Sequence, residues 1–151
     1  MIARRLLLVA PALLSVAGCG GPPAPAVVEL SIRASNDVNP NPAGTPVSVA
    51  ARLYSLIGRG RFMSADAFAL MDREKATLGD ESAGSEEIVV RPGEVRSLTL
   101  SPKPGVRYLG VAVLFREIDR AQWRAIAPIA AIGLTRLALT IGRNRAVLES
   151  A

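Results

Sequence analysis

Apolar and polar residues alternate one for one over several stretches of this chain, and that period excludes most architectures other than layered sheets. Val28, Leu30, Ile32 and Ala34 interleave with Glu29, Ser31 and Arg33. Successive strand side chains point to opposite faces, so such a segment reads as a strand with one face in a core and one in water. Val47, Val49, Ala51 and Leu53 resume the pattern and carry it through Tyr54 to Leu56. Residues 88–90, 95–100, 108–118 and 135–141 supply further strands. The 108–118 segment is apolar on both faces as far as Arg116, which predicts a central place in its sheet. Residues 145–148 are left open as one more strand.

Between the strands stand strong chain breakers. Residues 35–46 hold three prolines and three asparagines, a composition that continues neither a ladder nor a helix. Arg91-Pro92-Gly93-Glu94 has the proline-then-glycine order of a type II turn, and Pro102-Lys103-Pro104-Gly105 breaks the chain again. Ser64 or Asp66 is placed to cap a short helix over residues 67–71, and residues 72–85 read as mostly loop. Residues 125–134 are apolar with Pro128 and Gly133, and fit a core-packed loop, an edge strand or a helical turn equally. Six or seven short strands separated by turns predict an all-β, two-sheet β-sandwich with small helical additions.

The N-terminus carries a separate signal. Arg4 and Arg5 precede an apolar run from Leu6 to Leu14, too short for the ~20 residues that cross a bilayer. Val16-Ala17-Gly18-Cys19 then reads as a lipoprotein cleavage site, with cleavage before Cys19 and lipid on its sulfur. Residues 1–18 are thus expected to be removed, and residues 19–26 to form a lipidated Gly/Pro-rich tether of ~20 Å. Gly20, where an aspartate would favour inner-membrane retention, points to a periplasm-facing outer-membrane anchor. Residues 27–151 remain for a single domain. Cys19 is the only cysteine, so a disulfide within the chain is excluded, and lipidation consumes the only thiol.

Composition narrows the function. The formal net charge of +5 falls to +3 without Arg4 and Arg5, and no basic run with interleaved aromatics occurs, which argues against a nucleic-acid partner. The chain has no histidine, so Ser-His-Asp triads, histidine metal sites and imidazole acid–base chemistry are absent. Gly58-Arg59-Gly60-Arg61 lacks the lysine and hydroxyl residue of a phosphate-binding loop. Asp80, Glu81, Glu86 and Glu87 lack the spacing of a calcium loop and read as a solvated cluster. No catalytic residue, cofactor, metal or small-molecule substrate is expected.

The ordered set of motifs resembles the TssJ family, outer-membrane lipoproteins of the type VI secretion system. The residues that carry the likeness are the Cys19 site, a first strand ending Ala34-Ser35, and the Asn39-Pro40 loop with Gly44 and Pro46. Val49-Ala50-Ala51-Arg52-Leu53-Tyr54-Ser55-Leu56 comes next, then Phe62, residues 66–70 and Leu78-Gly79. Pro92-Gly93-Glu94, Gly110-Val111-Ala112, Phe115-Arg116 and Trp123-Arg124 complete it. Residues 125–134 depart from the pattern in being more apolar. The resemblance implies a transthyretin-like sandwich that binds the periplasmic part of TssM and through it joins TssL. It also implies that the loop between the first two strands, residues 35–46 here, meets TssM. Asn36, Asp37, Val38, Asn39, Pro40, Asn41 and Pro42 are the partner-binding candidates; the plainer reading of the same residues is a stable turn. Trp123 is either an interface anchor or a cap on the core. A periplasm-facing lipoprotein binding module, or a small-ligand carrier unrelated to secretion, is the alternative reading of the whole chain.

Overall fold

The computed structural model describes residue 18 and residues 20–151. The expected signal segment, Gly18 aside, and the expected lipidation position Cys19 lie outside the described residues. Eight strands form two four-stranded sheets. They are β1 (Ala26–Ala34), β2 (Val49–Leu56), β3 (Ser82–Val90), β4 (Val95–Leu100), β5 (Tyr108–Val113), β6 (Arg124–Pro128), β7 (Gly133–Ile141) and β8 (Ala146–Ser150). One sheet runs β4-β1-β7-β8 and the other β3-β2-β5-β6. All pairs are antiparallel except β1 with β7, which run parallel over nine residues from Ala26↔Gly133 to Ala34↔Ile141.

The alternation does what its period requires. Val28, Leu30 and Ile32 of β1 face Leu53, Val111 and their neighbours in the core between the sheets, while Glu29, Ser31 and Arg33 face water. β5 lies between β2 and β6, and its continuous apolar run is needed because both of its faces are covered. The second cover is a helical layer of three short helices, α1 (Gly60–Ser64), α2 (Ala67–Asp72) and α3 (Glu74–Leu78). Asp66 caps α2 by accepting a 2.7 Å bond from the Ala69 N–H. Phe62, Leu70 and Leu78 come down from these helices onto Tyr54, Leu56 and Ala112, on the face of the sheet turned away from the core. The Tyr54 and Phe62 rings sit 5.4 Å apart and tilted by 55°.

Two segments differ from the sequence expectation, and two that it left open are resolved. Residues 72–85, expected as loop, hold α3, a 3₁₀ turn (Gly79–Glu81) and the start of β3. The charges of β3, Glu86 and Glu87, are compatible with strand because β3 is an edge, and Glu87 pairs across the ladder with Arg52 at 2.9 Å. The acidic cluster is accordingly dispersed: Glu81 receives the Arg61 backbone N–H while Glu87 holds Arg52. The strand expected through residue 118 stops at Val113, because the next backbone groups are bonded elsewhere, with the Arg116 N–H donating to Asn39. Residues 125–134 resolve as edge strand β6, a connection and the start of β7, and 146–150 form β8.

Two outcomes follow from the helical layer. A Cβ on Gly110 meets Leu56 Cδ1 at 2.8 Å and Phe62 Cζ at 2.9 Å. Gly110→Ala is therefore expected to destabilise the domain by about 1–3 kcal/mol in urea denaturation. Burial pushes the Tyr54 phenol up to about 12, with Glu74 and Glu87 adding to the shift and Arg52 opposing it. The unfolded phenol ionises near ~10, so its stabilising effect is complete below that pH and is lost as pH rises toward 12. Stability measured from pH 9 to 12 should fall more steeply for the native chain than for Tyr54→Phe.

Candidate functional site

The strand directions bring four connections to one end of the sandwich: β1–β2, β3–β4, β5–β6 and β7–β8. Backbone hydrogen bonds knit them together. Ala34 N–H donates to Glu94 O at 2.9 Å, Gly93 N–H to Ser35 O at 3.1 Å, Asn39 N–H to Arg143 O at 3.0 Å and Gln122 N–H to Asn144 O at 2.9 Å. The opposite end carries the start of β1 at Ala26, the β2–β3, β4–β5 and β6–β7 connections and the end of β8. A nine-residue β1 separates the two ends by ~30 Å.

Within the β1–β2 loop the candidate residues divide by where their side chains go. Val38 is fully buried and belongs to the sandwich core. Asn39 is 4 % exposed, and its amide bridges two strand ends: Nδ2 donates to Ser48 O at 3.1 Å, and Oδ1 accepts from the Arg116 N–H at 2.8 Å. Its φ of +46° is the only positive value at a non-glycine among the described residues, a conformation asparagine tolerates better than most. Asn41 folds the tip back on itself. Its Oδ1 accepts from the Ala43 and Thr45 N–H groups at 3.0 and 2.9 Å, while its backbone N–H donates to Thr45 O at 2.8 Å. Asn36, Asp37 and Pro42 are exposed, and Pro40 and Asn41 are half-buried. The loop is thus preformed: two side chains point inward to hold it, and the other five are presented.

Charge around the loop is mixed. Arg91, Arg116, Arg120, Arg143 and Arg145 are exposed on the neighbouring connections, against exposed Asp37, Glu117 and Asp119 and half-buried Glu94, which pairs with Arg91 at 3.7 Å. None of these arginines was a sequence candidate, since only the fold gathers them beside residues 36–42. Their backbones mark the grouping: Arg116 N–H and Arg143 O both bond to Asn39.

Trp123 and Arg124 have structural work nearby. Trp123 is half-buried and packs against both apolar clusters, as a cap would. The Arg124 guanidinium lies 4.4 Å from the Trp123 ring and donates from Nη1 to Phe62 O and Ala65 O at 2.7 and 2.6 Å, tying the end of α1 to β6. Burial lowers the pKa of this guanidinium from its ordinary value. A groove beside the pair is lined by Phe68, 63 % exposed, with Ile118 and Asp66.

Residues 26–144 match the family model described as "Type VI secretion lipoprotein, VasD, EvfM, TssJ". The fold is similar to the type VI lipoprotein TssJ1 of Pseudomonas aeruginosa, 31 % identical, with a TM-score of 0.81 over 84 % of this chain and 97 % of that one. A chain in a structure described as "Type VI membrane complex" is 26 % identical, with a TM-score of 0.72 over 83 % of this chain and 97 % of that one. A third chain, in a structure described as "T6SS protein TssM C-terminal domain (869-1107) from EAEC", is 24 % identical, with a TM-score of 0.70 over 83 % and 98 %. No curated protein sequence matches. Among the described residues no helix is long and apolar enough to cross a membrane.

The Asn39 bridge has a measurable value. Asn39→Ala strands the Arg116 N–H and Ser48 carbonyl and forces alanine into a positive φ, for an expected loss of about 2–3 kcal/mol. Asn39→Gly loses the same bonds without the backbone penalty and should be the milder variant in thermal or urea unfolding.

Proposed function

Since this chain belongs to the TssJ family of type VI secretion lipoproteins, we propose that it anchors the secretion membrane complex at the outer membrane and docks the periplasmic domain of TssM there. Residues 1–18 are the cleaved signal, Cys19 bears the lipid, residues 19–26 are the tether, and residues 27–151 are the docking domain. TssL joins through TssM. The role is mechanical rather than chemical.

The observation that carries this reading is the separation of the two ends. The tether leaves one end of β1 and the preformed β1–β2 loop stands at the other, ~30 Å away, so a domain held at the membrane offers its loop to the periplasm. Rigidity favours docking, because a loop already closed by Asn39 and Asn41 loses little conformational entropy when a partner binds. Exposed charges of both signs around it suit a partner face of complementary pattern and would fix its register. Likeness to chains in structures described by the membrane complex and by TssM is consistent with this setting. The second of those chains is almost wholly covered by this one, which is shorter than the span 869–1107, so the likeness is not to the TssM segment itself.

Presented and supporting residues separate in the test. Calorimetry of residues 20–151 with the cognate TssM periplasmic domain should give saturable binding. Replacing Asn36, Asp37 and Pro42 together by alanine should weaken it at least ~10-fold, about 1.4 kcal/mol, with unchanged circular dichroism. Unaltered affinity would move the interface off this loop. In cells, Cys19→Ala should release the protein from membranes while binding by the soluble domain persists.

A further inference from the structure

The end of the sandwich that carries the tether is unusually apolar where it is exposed. Eleven consecutive residues, 125–135, contain no charge, and neither do residues 20–28. In the fold these two stretches lie side by side: β1 and β7 begin together at Ala26↔Gly133, and Gly133 N–H donates to Ala24 O and Pro25 O at 3.3 Å each. Ile132 is 58 % exposed and Leu134 45 % exposed, on either side of Gly133, whose φ of +75° bends the chain at this corner. Ala130 and Ala131 are exposed beside them, and Val27 lies opposite Leu134 in register. Lys103 and Arg107 are exposed on the adjacent β4–β5 connection, where Arg107 O accepts from the Ile129 N–H at 2.9 Å.

We propose that this lip, built around Ile132 and Leu134, is a membrane-contact surface that seats the domain on the phospholipid bilayer to which it is tethered. The occupant follows from the length of the leash. Because backbone bonds hold Ala24 and Pro25 to Gly133, the free tether is not residues 20–26 but only the stretch before Ala24. Five residues from Cys19 to Ala24, extended at ~3.1 Å each, reach ~15 Å at most, about twice the ~5–8 Å depth of a headgroup layer, so the leash lets the domain stand only ~10 Å clear of the bilayer. The exposed isoleucine and leucine stand beside the point where that leash joins the domain and are within reach of the interface. Side chains of this kind bury a few ångströms into the headgroup–acyl boundary, and flanking cations favour anionic lipid. The contact would also orient the molecule, holding β1 upright so that the β1–β2 loop points away from the bilayer. This inference rests on the lipid-anchor reading of Cys19, and its test separates the two.

The full lipid-bearing chain is reconstituted in phosphatidylethanolamine–phosphatidylglycerol vesicles. Ile132→Cys, whose new thiol is the only free one beside the lipid-bearing Cys19, is labelled with an environment-sensitive fluorophore; Asp37→Cys at the far end is the control. The expected result is blue-shifted emission at position 132 that spin-labelled lipids quench, and aqueous, unquenched emission at position 37. Adding Leu134→Glu to the Ile132→Cys chain should abolish the shift while the protein still floats with the vesicles. Aqueous emission from position 132 on a floating protein overturns the proposal. So does a blue shift without lipid quenching, which would mark a protein neighbour or a second copy on the lip. A chain that fails to float refutes the anchor reading instead. The lip is then decided on residues 20–151 held by an N-terminal histidine tag on nickel-chelating vesicles of the same lipids, read in the same way.

Discussion

The buried amide of Asn39 joins backbone groups that are 77 and 9 residues away in sequence, and the end of the molecule that carries the β1–β2 loop is organised around that bridge. Its Oδ1 takes the Arg116 N–H just where the chain leaves β5, its Nδ2 holds Ser48 before β2, and its own N–H reaches Arg143 between β7 and β8. Three connections from both sheets therefore share one residue. A polar side chain in an apolar interior is costly unless every donor and acceptor is met, and that cost makes the arrangement specific. A loop that placed residue 39 otherwise would leave these groups unpaired.

The second sheet depends on a different device. Gly110 on β5 leaves room for Phe62 and Leu56 to approach the sheet, and Tyr54 supplies a buried hydroxyl that donates to Leu70 O at 3.2 Å. Short helices of five or six residues have little stability alone. Here they are held by that apolar contact, by the Asp66 cap, and by Arg52 and Arg124 donating to free carbonyls of Met71, Phe62 and Ala65. Burial disfavours the charge on Arg52, yet its bond to Glu87 and the nearby Tyr54 and Glu74 outweigh this and raise its pKa. Two arginines of the family motifs act differently: Arg52 ties helix to sheet, whereas Arg116 is exposed and bonds through its backbone.

A polarity results along β1. One end holds the rigid β1–β2 loop, and the other holds the uncharged stretches 20–28 and 125–135. The apolar character of residues 125–134 stood out in the sequence as a departure from the family pattern. Its inner members, such as Ala127, enter the core, while Ile132 and Leu134 stay exposed. The apolar residues of this segment therefore divide, with Ala125, Ile126, Ala127 and Ile129 packed against the two apolar clusters and Ile132 and Leu134 left on the surface.

What the sequence by itself determined is what depends on near neighbours. Strand period, proline–glycine turns, the helix cap at Asp66 and the order of family motifs are set within a few residues, so the two-sheet sandwich and its family were legible. The same holds for residues 35–46 as a connection between the first two strands. What only the tertiary structure decided are relations across long separations. These are the parallel pairing of β1 with β7, the strand character of charged residues 82–87 on an exposed edge, and the early end of β5. They also include the division of residues 36–42 into buried supports, Val38 and Asn39, and presented groups. A side chain's direction there is set by partners up to 77 residues away, which no local pattern encodes.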